Sequence, residues 1–133
     1  MGLKSSLVKP YAKLIATSNN KWISNPLKAQ KRVFKRLLKT AKKTAFGVDH
    51  QFAKINSYED FKERVPIVNY EQIKHYIERF QKGEKDVLWP GSPLYFCKTS
   101  GTTSGAKYIP VSKESMPFHI KCAKDAILSY ITE

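Results

Sequence analysis

Acidic residues are scarce at the front of this 133-residue chain: residues 1–50 hold twelve lysines and arginines against one acid, Asp49. Residues 51–133 hold twelve against ten, so the net charge of +13 belongs almost wholly to the N-terminal part. Cysteine is nearly missing. Cys97 and Cys122 are too few for a zinc site, and with no secretory signal they read as free, buried or nearly buried thiols of a reducing compartment. His50, His75 and His119 are scattered without metal-ligand spacing. No run approaches the about 18 apolar residues of a membrane span, and no apolar signal-peptide core opens the chain. A cytoplasmic protein is the resulting expectation. Repeats, linkers and low-complexity tracts are lacking too, which points to one piece. No nucleophile-elbow pattern surrounds Ser100, which argues against a Ser-His-Asp hydrolase.

What is present suits a folded domain. Hydrophobic residues make up 41% of the chain, with seven Phe, seven Tyr and two Trp, enough for one modest core. Leu3, Leu7, Tyr11, Leu14 and Ile15 suggest a first helix bent at Pro10 and ended by Thr17-Ser18-Asn19-Asn20, with Trp22 and Ile23 packing on the core. Asn25 as cap, Pro26 at the first position and Gly47 as stop predict a second helix from Pro26 to about Phe46. Its apolar face is Leu27, Phe34, Leu37, Leu38, Ala41 and Ala45; eight basic residues from Lys28 to Lys43 cover the rest. A loop anchored by Phe52 and Ile55 follows. Ser57 with Asp60 predicts a short helix from Tyr58 to about Arg64, stopped by Pro66. Asn69 with Gln72 opens another, carrying Ile73, Tyr76, Ile77 and Phe80 and closed by Gly83. Trp89 reads as a lid over the core. Ser112 is the expected cap of a last helix with Met116, Ile120, Ala123, Ile127 and Ile131 on its packed side.

Between two strand-like runs, Leu94–Cys97 and Lys107–Val111, lies Thr99-Ser100-Gly101-Thr102-Thr103-Ser104-Gly105-Ala106-Lys107. Glycines bring backbone N–H groups close to a ligand, hydroxyls donate hydrogen bonds and the lysine adds positive charge, which together suit a polyphosphate. An ordinary flexible hairpin loop has the same composition. The run is neither a Walker A loop, since a strand with Pro110 follows instead of a helix, nor a dinucleotide fingerprint, since the third glycine is lacking.

The order of these residues is more specific than their composition. Thr99-Ser100-Gly101-Thr102-Thr103, then Gly and Lys, resembles the phosphate loop of the adenylate-forming superfamily. Ser104 stands where that loop has Gly, and Ala106 where it has Pro. The glycine moved to Gly105 and the following Tyr108-Ile109-Pro110-Val111 resemble one branch, the auxin-responsive promoter family of acyl-acid amido synthetases. Thr44–Phe52, Tyr58–Ile67 and Gly83–Gly91 are similar to that family's N-terminal region, so the likeness runs over roughly residues 26–120 in order. Lys107 stands one place closer to the glycine than in the plant pattern.

The resemblance implies an α/β enzyme, α+β over this stretch: the mostly helical N-terminal part of a large domain, with short strands flanking the phosphate loop. The stretch divides into residues 1–25 (helix and linker), 26–98 (helical), 99–107 (loop) and 108–133 (strand and helix). It implies ATP and Mg²⁺, a carboxylic acid and an amino acid as substrates, and Ser100, Gly101, Thr102, Thr103, Gly105 and Lys107 as ATP-phosphate contacts, with no catalytic base or metal ligand in view. Only Glu114, Asp125 and Glu133 follow the loop, and the last helix ends uncapped on Glu133. The expectation is a portion of a longer ligase, inactive alone. Two other readings stay open. A basic adaptor could bind nucleic acid through the 26–46 helix, although no aromatic residues interleave with its lysines. A membrane-surface protein could use Met1-Gly2-Leu3-Lys4-Ser5-Ser6, which matches the N-myristoylation pattern, together with the basic helix.

Overall fold

The computed structural model describes the backbone of residues 3–100 and 105–132 and the side chains of 8–100 and 105–130. Six helices and two strands follow in the order α1 (Leu3–Ile23), α2 (Pro26–Ala41), α3 (Ala45–Asp49), a 3₁₀ turn at Phe52–Lys54, α4 (Tyr58–Arg64), α5 (Tyr70–Gln81), β1 (Tyr95–Lys98), β2 (Tyr108–Val111) and α6 (Met116–Thr132). The described residues are thus mostly helical with one two-stranded antiparallel sheet, an α+β arrangement. Contacts divide the chain into two compact units, Met1–Val33 with Glu114–Glu133, and Phe34–Lys113. Among the described residues no helix is long and apolar enough to cross a membrane. Met1 and Gly2 of the lipidation motif lie outside the described residues.

In the first unit α1 packs on α6, burying Ala12 and Leu128. Two expectations fail on α1. The helix runs through Thr17-Ser18-Asn19-Asn20, because their polar side chains find partners compatible with a helix. Thr17 donates to the Lys13 carbonyl one turn back, and Asn19 donates to Asp125. Trp22 and Ile23 are exposed instead of packed. The last helix also corrects its reading. It begins at Met116, so Ser115 and not Ser112 precedes it, and Ile120 and Ile127 are 62% and 64% exposed. The side turned to α1 is the row Lys121, Asp125 and Leu128: Asp125 pairs with Lys121 and accepts from Asn19, while Lys124 lies 4.9 Å over the Tyr11 ring. Counting apolar residues selected the wrong face: the buried residue is Leu128, on the side shared with Lys121 and Asp125.

The second unit holds two clusters joined by one ring. Leu38, Ala41, Phe52 and Ile55 gather Phe34, Phe61, Val65 and Trp89 around them. Tyr76, Phe80 and Val87 gather Ile73, Leu88 and Phe96. Phe46 packs on both, edge-on to Phe52 at 5.8 Å and to Tyr76 at 5.3 Å. Phe52, Ile55 and Trp89 therefore stand where the sequence placed them. Leu27 and Leu37 do not, since both are exposed.

The turn from α2 to α3 departs from expectation for a definable reason. The second helix stops at Ala41, and Gly47, expected as its end, sits buried inside α3. Thr44, 1% exposed, donates its hydroxyl to Ala41 O at 2.7 Å and accepts from Gly47 N at 3.1 Å. The next two amides, of Ala45 and Phe46, donate to the carbonyls of Asp86 and Val87 at 2.8 and 2.9 Å. Every N–H that opens α3 thus has a partner, half of them from far along the chain.

Local signals were obeyed in α4 and α5. Ser57 and Asp60 form a reciprocal capping box, as do Asn69 and Gln72, and Gly83 follows α5 with φ +87°. The Tyr76 hydroxyl on α5 donates to Asp49 at 2.7 Å. Burial first, and this bond to a carboxylate second, push its pKa up to about 12. The native state therefore keeps a proton that the unfolded chain releases near pH 10. The contribution is complete below pH 10 and is lost as pH rises from 10 toward 12. Urea midpoints across that window should fall in the native chain, and Tyr76→Phe should flatten that decline.

Candidate functional site

The two strands pair Tyr95 with Val111, Phe96 with Pro110, Cys97 with Ile109 and Lys98 with Tyr108. Each strand begins within a residue of its expected place. Pro110 is tolerated because the Thr99–Lys107 bond sets an alternation that puts Phe96 and Pro110 at a non-hydrogen-bonded pair, on the open side of an edge strand. Cys97 on β1 and Cys122 on α6 are free as expected but exposed, against the expectation of burial.

Beyond Lys98 and Tyr108 the pairing continues by one more step. Thr99 N donates to Lys107 O at 2.9 Å, and Lys107 N to the Thr99 hydroxyl at 3.4 Å. This pair closes a neck at the two ends of the Ser/Thr/Gly sequence run. Ser100 is exposed just past the neck. Gly105, exposed on the return side, has φ +80°, a conformation that a side chain disfavours. Gly101, Thr102 and Thr103 lie outside the described residues.

Lys107 is half-buried, with its ammonium 5.5 Å over the ring of Tyr70. Tyr70, the first residue of α5, also secures the strand: its hydroxyl accepts from Tyr108 N at 2.8 Å and donates to Tyr108 O at 3.4 Å. One side chain therefore holds both the peptide after the loop and the loop's lysine. Sequence reasoning missed Tyr70. The signal was there, since Tyr70 extends the row of Ile73, Ile77 and Phe80 back by one turn. Chemically, the neck holds Thr99 and Lys107 together and keeps one positive charge beside them. Among the described residues no group of three or more His, Cys, Asp or Glu could hold a metal.

Tyr70→Phe removes the acceptor of the Tyr108 N–H and leaves the ring. It should lower unfolding free energy by about 1 kcal/mol and speed hydrogen exchange at the Tyr108 amide. Unchanged protection of that amide would show that the hydroxyl is not what holds the strand.

Residues 17–132 match the GH3 family N-terminal domain. The chain is 43% identical over 58 residues to the probable indole-3-acetic acid-amido synthetase GH3.13 of Oryza sativa subsp. japonica, covering 42% of this chain and 12% of that protein. It is 40% identical over 60 residues to the indole-3-acetic acid-amido synthetase GH3.15 of Arabidopsis thaliana, covering 44% of this chain and 10% of that protein. The matches thus span only about a tenth of the length of these relatives. No solved structure matches. The family read from the loop and its flanking stretches is borne out: the chain belongs to the GH3 family, through its N-terminal domain.

Proposed function

We propose that this chain is the N-terminal portion of an ATP-dependent ligase that couples a carboxylic acid to the amine of an amino acid, and that residues 99–107 grip the phosphates of ATP. In the first step a carboxylate oxygen bonds to the α-phosphorus and pyrophosphate departs. In the second the amine nitrogen bonds to the acyl carbon, loses a proton, and AMP departs. Two relatives carry names of amido synthetases acting on indole-3-acetic acid, which supports this class of reaction.

The observation that supports the reading is the neck between Thr99 and Lys107, the two ends of the hydroxyl- and glycine-rich sequence run, with Lys107 held over Tyr70. Ser100, Thr102 and Thr103 would offer hydroxyls, Gly101 and Gly105 their backbone N–H groups, and Lys107 its charge. Such groups stabilise negative charge gathering on the leaving pyrophosphate, at roughly 1.5–3 kcal/mol per charge-assisted bond. The residues described here fit phosphates better than a metal: they supply donors but no carboxylate set. Mg²⁺ would enter with the ATP. The basic-adaptor and membrane-surface readings are not favoured, since the family match takes in the lysine-rich helix and the loop alike.

The test is exchange of labelled pyrophosphate into ATP by the parent enzyme. Exchange that depends on an added carboxylic acid is expected, and none from the 133 residues alone. ATP turnover with no acid requirement overturns the reading.

A further inference from the structure

Lys107 carries the positive charge of the Ser/Thr/Gly run. Among the described residues no carboxylate pairs with it. Its ammonium lies instead 5.5 Å over the ring of Tyr70. A carboxylate would restrain the lysine and cancel its charge together. An aromatic face attracts the ammonium through the ring quadrupole, restrains the long side chain, and leaves the charge for an incoming anion. Tyr70 is itself held from two directions. It is the first residue of α5, behind the capping box of Asn69 and Gln72. Its hydroxyl bridges the N–H and carbonyl of Tyr108, which ties the ring to the residue next to Lys107. The Lys107 carbonyl accepts from Thr99 N, so the backbone and the ammonium of this one lysine are both secured.

We propose that Tyr70 is a positioning residue for ATP: its ring holds the Lys107 ammonium ordered and unneutralised before the polyphosphate arrives. This rests on the reading that residues 99–107 grip ATP phosphates, and it gives Tyr70 two separable roles. The hydroxyl secures the strand; the ring serves the ligand. A lysine free in solvent gives up much rotamer freedom when it meets a phosphate, and one already resting on a ring gives up less. The ring acts only through Lys107, so its effect on ATP should vanish when that charge is removed.

Equilibrium dialysis of labelled ATP and labelled AMP against the parent enzyme tests this. Tyr70→Leu should weaken ATP about fivefold and AMP less than about twofold, because AMP lacks the outer phosphates. Tyr70→Phe keeps the ring and should weaken ATP less than about twofold. Lys107→Gln should weaken ATP about tenfold, and adding Tyr70→Leu to it should weaken ATP less than about twofold further. A trifluorinated phenylalanine at position 70 keeps the ring's shape and removes its negative face. Relative to Tyr70→Phe it should weaken ATP about threefold. Equal losses from Tyr70→Leu with and without Lys107 overturn the inference, as does an equal loss of AMP, since either makes Tyr70 a support of the fold alone. So does a fluorinated ring that serves as well as the plain one, an outcome readable even where Tyr70→Leu does not fold. ATP affinity indifferent to Lys107→Gln but lowered by Thr102→Ala with Thr103→Ala refutes this inference and leaves the phosphate grip standing. A native parent enzyme that binds no ATP refutes both.

Discussion

Replacing Gly47 by alanine should lower unfolding free energy by about 3–5 kcal/mol, a large share of the roughly 5–15 kcal/mol available to a small domain. An added Cβ would lie 2.1 Å from Ala41 O, 2.9 Å from Ala41 C and 3.1 Å from Lys42 Cα. All three are backbone atoms, so no side chain can swing aside. Relief requires parting α2 from α3, which breaks the Thr44 bonds to Ala41 and Gly47 and draws the Ala45 and Phe46 amides from Asp86 and Val87. Overpacking alone costs about 1–3 kcal/mol, and each lost bond adds about 1. Gly83, with open space around its missing Cβ and only a left-handed φ to strain, is the comparison: its alanine variant should lose about 1–2 kcal/mol. Urea denaturation measures both, and equal midpoints for Gly47→Ala and the native chain would remove the close approach from the account.

The second large effect concerns chemistry. In the parent enzyme, Thr102→Ala combined with Thr103→Ala should slow acid-dependent pyrophosphate exchange by a hundredfold or more. The proposed grip would put two charge-assisted bonds at roughly 1.5–3 kcal/mol each at stake. The hydroxyl explanation makes a further demand. Serine at both positions should restore most of the rate, because it keeps the donor and loses only a methyl. Full activity in the double alanine variant would refute the phosphate grip, whatever reaction the enzyme performs.

The elements readable in advance are those whose causes are local. Ser57 with Asp60 and Asn69 with Gln72 were legible because a capping box closes within four residues, and each helix begins where its box says. The hairpin was legible from two short strand-like runs on either side of a Gly/Ser/Thr run. Three features were not. Gly47 is needed for an approach to Ala41 O that only the folded turn creates. The side of α6 that meets α1 carries a bond from Asn19, over a hundred residues upstream of Asp125. Tyr70 reaches Tyr108 across α5 and β1, and no window of neighbouring residues contains both. Of the six proposed phosphate contacts, Ser100, Gly105 and Lys107 are placed at the neck, and the sequence pattern alone speaks for Gly101, Thr102 and Thr103.

The hook between the start of α3 and the carbonyls of Asp86 and Val87 also bears on how the second unit assembles. Those two residues arrive only after α4 and α5 have been laid down, so the small helix cannot shelter its leading amides on its own. Closing that long chain segment is an entropic toll met at a single moment. The start of α3 and the segment at Asp86 and Val87 should accordingly gain order in one concerted event around Phe46.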